Sequence, residues 1–136
     1  MAVNQRLMLD TNAVSLLLKI KAGVMAKLIV QRRGCISAIT EAEMHFGMAR
    51  RKLNPDTLRI AERFLDSIDI LPWTSDCARR YGSIRADLER VGRPLATLDM
   101  LIAAHAVTEN CTLVTSDKVF AQVPGLEVLH SANLLS

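Results

Sequence analysis

The sequence predicts an α/β fold, an open and mainly parallel sheet of about five short strands flanked by helices in an α/β/α arrangement. Short apolar runs alternate with longer segments of helical period, the pattern of strands joined by crossover helices. The chain has 136 residues and is half apolar, enough for one ordinary domain with a sizeable core. Four prolines, six glycines and no low-complexity run, repeat or linker-like stretch leave no boundary, so residues 1–136 read as a single domain.

In chain order, the apolar triplet Leu7-Met8-Leu9 is the first strand and stops abruptly on Asp10-Thr11-Asn12. Helices follow at 13–19 and 24–32, then a strand at 35–37. A helix at 40–52 opens on a capping box, Thr40-x-x-Glu43, and a second helix covers 55–66. A third strand at 68–71 leads to a long helix at 76–90, and another helix at 98–109 carries Asp99 in its first turn. The last elements are a strand at 112–115, a short helical turn at 118–122 and a strand at 127–129.

Composition excludes several classes. Cys35, Cys77 and Cys111 are odd in number, far apart and set in apolar surroundings, which fits reduced buried thiols and not a disulfide framework or a zinc site. His45, His105 and His130 are scattered, none beside a serine or cysteine that it could activate, and read as core or surface residues. The N-terminus lacks a signal pattern, and the most apolar stretch, residues 14–30, is broken by Lys19, Lys21 and Lys27. A soluble, intracellular and hence cytoplasmic protein is expected. The net charge of +3 and pI near 9.0 permit a polyanionic partner without requiring one.

In an open parallel sheet, ligands bind beyond the carboxyl ends of the strands. Four carboxylates stand at such junctions: Asp10, Glu43, Asp99 and Asp117. Each has a structural reading of its own. Asp10 and Asp117 can cap the helices that follow, Glu43 belongs to the capping box, and Asp99 is favoured by the helix dipole. Taken together they imply more, because carboxylates crowded on one edge raise one another's pKa values unless a cation neutralises them. An all-oxygen set suits Mg²⁺ or Mn²⁺, and the chemistry of such a site is phosphoryl transfer or phosphodiester hydrolysis by an ion-activated water. Glu41 and Glu43 lie about 200° apart around a helix, so only one can face the cleft, and periodicity alone does not choose between them.

The segments "LDTN", "ISAITEAEMHFG", "YGSIRADLERVGRP" and "LDMLIAAHAVTENCTLVTSDKVFAQVPGLEV" together resemble the PIN-domain family, and within it the VapC-type toxins of bacterial toxin–antitoxin pairs. The resemblance runs from Leu9 to about Val128 and implies a metal-dependent ribonuclease of PIN fold. It places the acidic quartet, catalytic and metal-binding, on Asp10, Glu43, Asp99 and Asp117, and so selects Glu43 over Glu41. It also implies water-positioning roles for Thr11 or Asn12 and for Thr115 or Ser116. Where many relatives carry asparagines near the fourth acid, this chain has Ser116-Asp117; where many have Gly-Pro before the third, it has Ala96-Thr97.

Such an enzyme needs no histidine base and leaves a 5′-phosphate and a 3′-hydroxyl. Phosphates require cations around the acidic cleft. Arg85, Arg93 and Lys118 are the candidates for RNA contact, whereas Arg50, Arg51 and Lys52 also complement the end of a helix. One Trp, one Tyr and three Phe make a stacking platform improbable, so recognition of RNA shape is expected, with a tRNA anticodon stem-loop as the natural substrate. The resemblance further implies a VapB-type antitoxin, which covers an apolar surface such as that of residues 14–30 and inserts a basic side chain into the acidic site, and a homodimer forming a higher complex with the antitoxin. Two rivals stand beside this reading: a non-catalytic PIN-like module that only docks RNA or protein, and a phosphatase or phosphoreceiver. The second usually wants further acids at set intervals, and "LDTN" supplies one.

Overall fold

The computed structural model describes residues 5–134. Within it β1 (Leu7–Leu9), β2 (Gly34–Ser37), β3 (Asp69–Leu71), β4 (Thr112–Thr115) and β5 (Val128–His130) form one all-parallel sheet in the order β3-β2-β1-β4-β5. The helices are α1 (Thr11–Ile20), α2 (Ala22–Val30), α3 (Ala38–Arg50), α4 (Pro55–Ser67), α5 (Ser75–Arg90) and α6 (Thr97–Thr108). Short 3-10 helices follow at Lys118–Gln122 and Ser131–Leu134, the second of them not among the expected elements.

Because side chains alternate across a strand, the fully apolar strands feed two cores. Met8, Cys35 and Leu113 point to the face covered by α5 and α6, where Ile84, Leu88, Met100 and Phe120 pack. Leu7, Leu9, Ile36 and Val114 point to the opposite face, against Val14 and Leu17 of α1, Leu28 of α2 and Phe64 of α4. The three cysteines are buried and free, as expected. No helix among the described residues is long and apolar enough to cross a membrane.

The chain moves outward from β1 through β2 to β3, then returns to the other side of β1 for β4. That reversal falls between β1 and β4, whose carboxyl ends therefore diverge into separate connections and leave a crevice. Asp10 follows β1 directly and Asp117 lies two residues beyond β4. The Asp10 N–H donates to the Val114 carbonyl at 3.1 Å, which holds the end of β1 against β4 as the chain turns away.

One expectation is corrected. Thr40 and Glu43 form no capping box, because α3 begins two residues earlier. Ser37, the last residue of β2, is the cap, and its Oγ accepts the Ile39 N–H at 3.0 Å. Thr40 is instead fully buried inside the first turn, its hydroxyl without a partner. A serine that ends a strand and also caps the next helix leaves no loop between them, and that overlap hid the true start. Smaller shifts have similar causes: Ile68 closes α4 by donating to the Phe64 carbonyl, so β3 starts one residue later than expected.

Candidate active site

Each of the four carboxylates is brought to the carboxyl edge of the sheet by a different local device. Asp10 is the N-cap of α1 and accepts the Ala13 N–H on Oδ1 at 2.7 Å, which satisfies one of the free donors of the first turn. It is only 6% exposed. Asp117 caps the 3-10 helix by accepting the Val119 N–H at 3.0 Å and is otherwise exposed. The capping readings of both residues therefore hold, and capping is what anchors the carboxylates at the rim. Asp99 stands in the first turn of α6, where the dipole favours an anion.

Glu43 projects from the second turn of α3, and the Thr11 hydroxyl donates to its Oε1 at 2.8 Å. Glu41, on another side of the same helix, faces His45 at 3.4 Å. The geometry thus distinguishes the two glutamates: Glu43 looks toward the end of β1 and Glu41 does not. Thr11→Val, which keeps shape and removes the hydroxyl, is expected to slow cleavage about tenfold while stability moves by about 1 kcal/mol or less. Single-turnover rates and denaturant titrations check this, and equal rates would mean that Glu43 is held by something other than Thr11.

The electrostatics show how closely these groups share one region. Burial pushes the Asp99 carboxyl above its ordinary value of 3.8, and the charges of Asp117, Glu43 and Asp10, in that order, push it the same way. Asp10 is also raised, first by burial and lastly by Asp117, while the Thr115 hydroxyl and the Ala13 N–H favour its ionised form. Asp99 therefore senses all three of the other acids. Among the described residues no three carboxylates are already closed into a coordination cage. Coulomb repulsion between like charges favours such a spread.

Thr115 is buried and joins two of the acids: its Oγ1 accepts the Asp117 N–H at 3.0 Å while its hydroxyl faces Asp10. Thr11 is engaged with Glu43, whereas Asn12 and Ser116 are exposed beside Asp10 and Asp117. The basic candidates differ in freedom. Arg85 is paired with Glu89 at 3.0 Å and donates to the Tyr81 hydroxyl at 3.0 Å, which raises its already high pKa. Arg93 is exposed just beyond the end of α5. That end needs a glycine: Gly92 has φ +70°, which lets the Arg93 N–H reach back to the Leu88 carbonyl and the Gly92 N–H to that of Glu89. Lys118 is exposed next to Asp117, and Arg50 lies over the Phe46 ring at 5.2 Å.

Two residues of the neighbourhood were not singled out in the sequence. His105 is fully buried on α6 and its Nδ1 lies 2.7 Å from Ser37 Oγ. Burial pushes its pKa below that of an ordinary histidine, against the effects of Glu109 and the Pro72 carbonyl. Ser37 itself reads in sequence as an ordinary strand residue.

The four candidate ligands are all carboxylates, a set that fits a hard divalent cation such as Mg²⁺ or Mn²⁺. On the far face of the sheet, an apolar groove of about 220 Å³ is lined by Leu18, Met25 and Ile29 of α1 and α2 and by Ile60 and Phe64 of α4. Of the apolar stretch at residues 14–30, Val14, Leu17, Met25 and Leu28 are buried and Leu18, Val24 and Ile29 pack partly buried against the same core, whereas Ile20 and Val30 are 62% and 82% exposed.

A family model described as the PIN domain matches residues 7–126. The chain is 33% identical over 124 residues to a tRNA(fMet)-specific endonuclease VapC of Shigella flexneri, covering 89% of this chain and 94% of that protein. It is 36% identical over 92 residues to ribonuclease VapC2 of Rickettsia felis, covering 67% and 69%. Among solved structures it superimposes on DNA-bound VapBC from Salmonella typhimurium with a TM-score of 0.81 at 31% identity, over 93% of this chain and 98% of that one. It also matches VapBC2 from Rickettsia felis, bound to a promoter DNA fragment, with a TM-score of 0.80 at 29% identity, over 90% and 96%.

Proposed function

Because the chain belongs to the PIN-domain family, and within it to the VapC group, we propose that it is the ribonuclease toxin of a toxin–antitoxin pair, hydrolysing RNA phosphodiesters at its carboxylate edge. The observation that supports the reading is that the charges of Asp117, Glu43 and Asp10, which come from three other segments, each push the Asp99 carboxyl up. Like charges that push Asp99 and Asp10 up are costly unless a cation offsets them. Asp10, Asp99 and Glu43 would hold Mg²⁺ or Mn²⁺, directly or through water, and Asp117 would complete the site or help with a second ion. When bound, the ion supplies a nucleophilic water at neutral pH and offsets charge on the phosphate oxygens.

The chain's own residues prepare that chemistry. Thr11 fixes the Glu43 carboxylate, Thr115 favours ionised Asp10 and steadies the backbone of Asp117, and the α1 cap holds Asp10 in place. Lys118 and Arg93 draw the RNA backbone toward the acids; Arg85 does so only by leaving Glu89 and Tyr81. With so few aromatic side chains, the substrate is recognised by shape. A tRNA is the natural choice, given that a relative sharing 33% identity is named for tRNA(fMet), and cutting it would inhibit translation in the cytoplasm.

The partner proposed is a VapB-type antitoxin, since several neighbours in fold space were solved as VapBC complexes. Its apolar segment would lie in the groove between α2 and α4, and a basic side chain would offset the carboxylates. The toxin would act as a homodimer.

Incubating the purified protein with a tRNA pool and Mg²⁺ or Mn²⁺ is expected to give fragments with 5′-phosphate and 3′-hydroxyl ends, and chelation by EDTA to stop the reaction. Cyclic phosphate ends would overturn the water-driven route. Retained RNA binding with no cleavage under any ion would leave a non-catalytic docking module instead.

A further inference from the structure

The buried face of α6 is built of Met100, Ile102, Ala103, Ala104 and Ala106, and among them stands one polar side chain, His105. An apolar residue would be less costly in that position. His105 touches the start of another site-bearing helix: Nδ1 is 2.7 Å from Oγ of Ser37, the residue that ends β2 and caps α3. The Pro72 carbonyl, immediately after β3, also lies near the ring, and Nε2 itself has no hydrogen-bond partner.

A neutral imidazole has one N–H and one acceptor nitrogen. If Nδ1 carried the hydrogen, Ser37 Oγ would accept from both Nδ1 and the Ile39 N–H, and the Ser37 O–H would need another acceptor. With the hydrogen on Nε2, Nδ1 accepts the Ser37 O–H while Ser37 Oγ accepts the Ile39 N–H at 3.0 Å, so this chain of hydrogen bonds runs in one direction.

We infer that His105, as the neutral Nε2–H tautomer, is a positioning residue that clamps the helix of Asp99 to the start of the helix of Glu43 and so sets the spacing of those two carboxylates. The inference rests on the carboxylate edge being the reacting site. His105 itself touches neither substrate nor ion.

The test compares wild type with His105→Leu, His105→Asn and Ser37→Ala. Leucine fills the same space without polarity, and asparagine places an oxygen where Nδ1 sits. Removal of the clamp by His105→Leu or Ser37→Ala is expected to slow single-turnover cleavage and weaken Mn²⁺ binding, measured by the EPR signal of the free ion, each by about tenfold or more. The melting temperature of His105→Leu should hold or rise, whereas that of Ser37→Ala, which also removes the α3 cap, should fall. His105→Asn should restore both readouts to within about threefold of wild type. Nitrogen-15 spectra of the wild type should show Nδ1 without a proton.

Wild-type cleavage and Mn²⁺ affinity in His105→Leu, equal loss in the leucine and asparagine variants, or a protonated Nδ1 would each overturn the inference. If His105→Leu does not fold, Ser37→Ala and the tautomer spectrum still decide. Should the wild type cleave no RNA while Mn²⁺ affinity follows the expected order, the ribonuclease reading fails and the clamp stands.

Discussion

Asp99→Asn is expected to abolish RNA cleavage and, in the same protein, to raise the melting temperature at neutral pH. The activity loss should reach about a thousandfold, because an ion at such a site supplies several kcal/mol of charge stabilisation and each 1.4 kcal/mol is a factor of ten. The gain in stability follows from linkage. The folded-state pKa of Asp99 lies above its ordinary value of 3.8, so between those two values the folded chain binds more protons than the unfolded one. Stability contributed by Asp99 therefore falls as pH rises through that window, and above it the cost of the partly buried charge beside three other acids is fully present. Asparagine keeps the shape and removes the charge.

Calorimetry in EDTA at pH 4 and pH 7, beside cleavage assays with Mg²⁺, checks both halves. A stability difference that grows from pH 4 to pH 7 is expected. Undiminished cleavage would remove Asp99 from the reacting site, and a lower melting temperature at pH 7 would mean that the carboxylate stabilises the fold. Asp10→Asn is a less clean probe, since Asp10 also caps α1 and accepts from Ala13.

The second large effect concerns Phe120, a 1% exposed side chain of the 3-10 helix that follows Asp117. It packs in the core on the α5 and α6 face, so it anchors the turn that carries the fourth carboxylate. Phe120→Ala should cost about 3–5 kcal/mol, from lost burial and the cavity left behind. That is a large share of the roughly 5–15 kcal/mol by which domains are stable, and it should lower the melting temperature by roughly ten degrees or more. Well below the new transition, cleavage should also fall, because the Asp117 turn loses its anchor. A loss below about 1 kcal/mol in urea titrations would show that the site can collapse around the smaller side chain.

Much of this was readable from the chain. The strands are short apolar runs, and their boundaries fall within one residue of those expected, because a sheet covered on both faces tolerates few polar residues. Asp10 and Asp117 stood out because a carboxylate after a buried strand is locally unusual. The choice between Glu41 and Glu43 was not legible from helical period, and the contact that separates them joins Thr11 to a residue 32 positions away. His105 and Ser37 are 68 positions apart, and each alone looks like filler in a core element. Local pattern reveals what one segment does to itself; pairs made only by the closed sheet carry no such trace.

The strand order has a consequence for how the protein comes into being. Asp10 and Asp117 are far apart in the chain, yet β1 and β4 are neighbours, so the crevice exists only after β4 has been made and added to the open edge of β1. Non-local parallel pairing of this kind forms late and cooperatively. A nascent or prematurely terminated chain therefore carries scattered carboxylates and no cleft. If the proposed activity is harmful to its host, the fold ensures that the hazard arrives all at once, in the finished molecule.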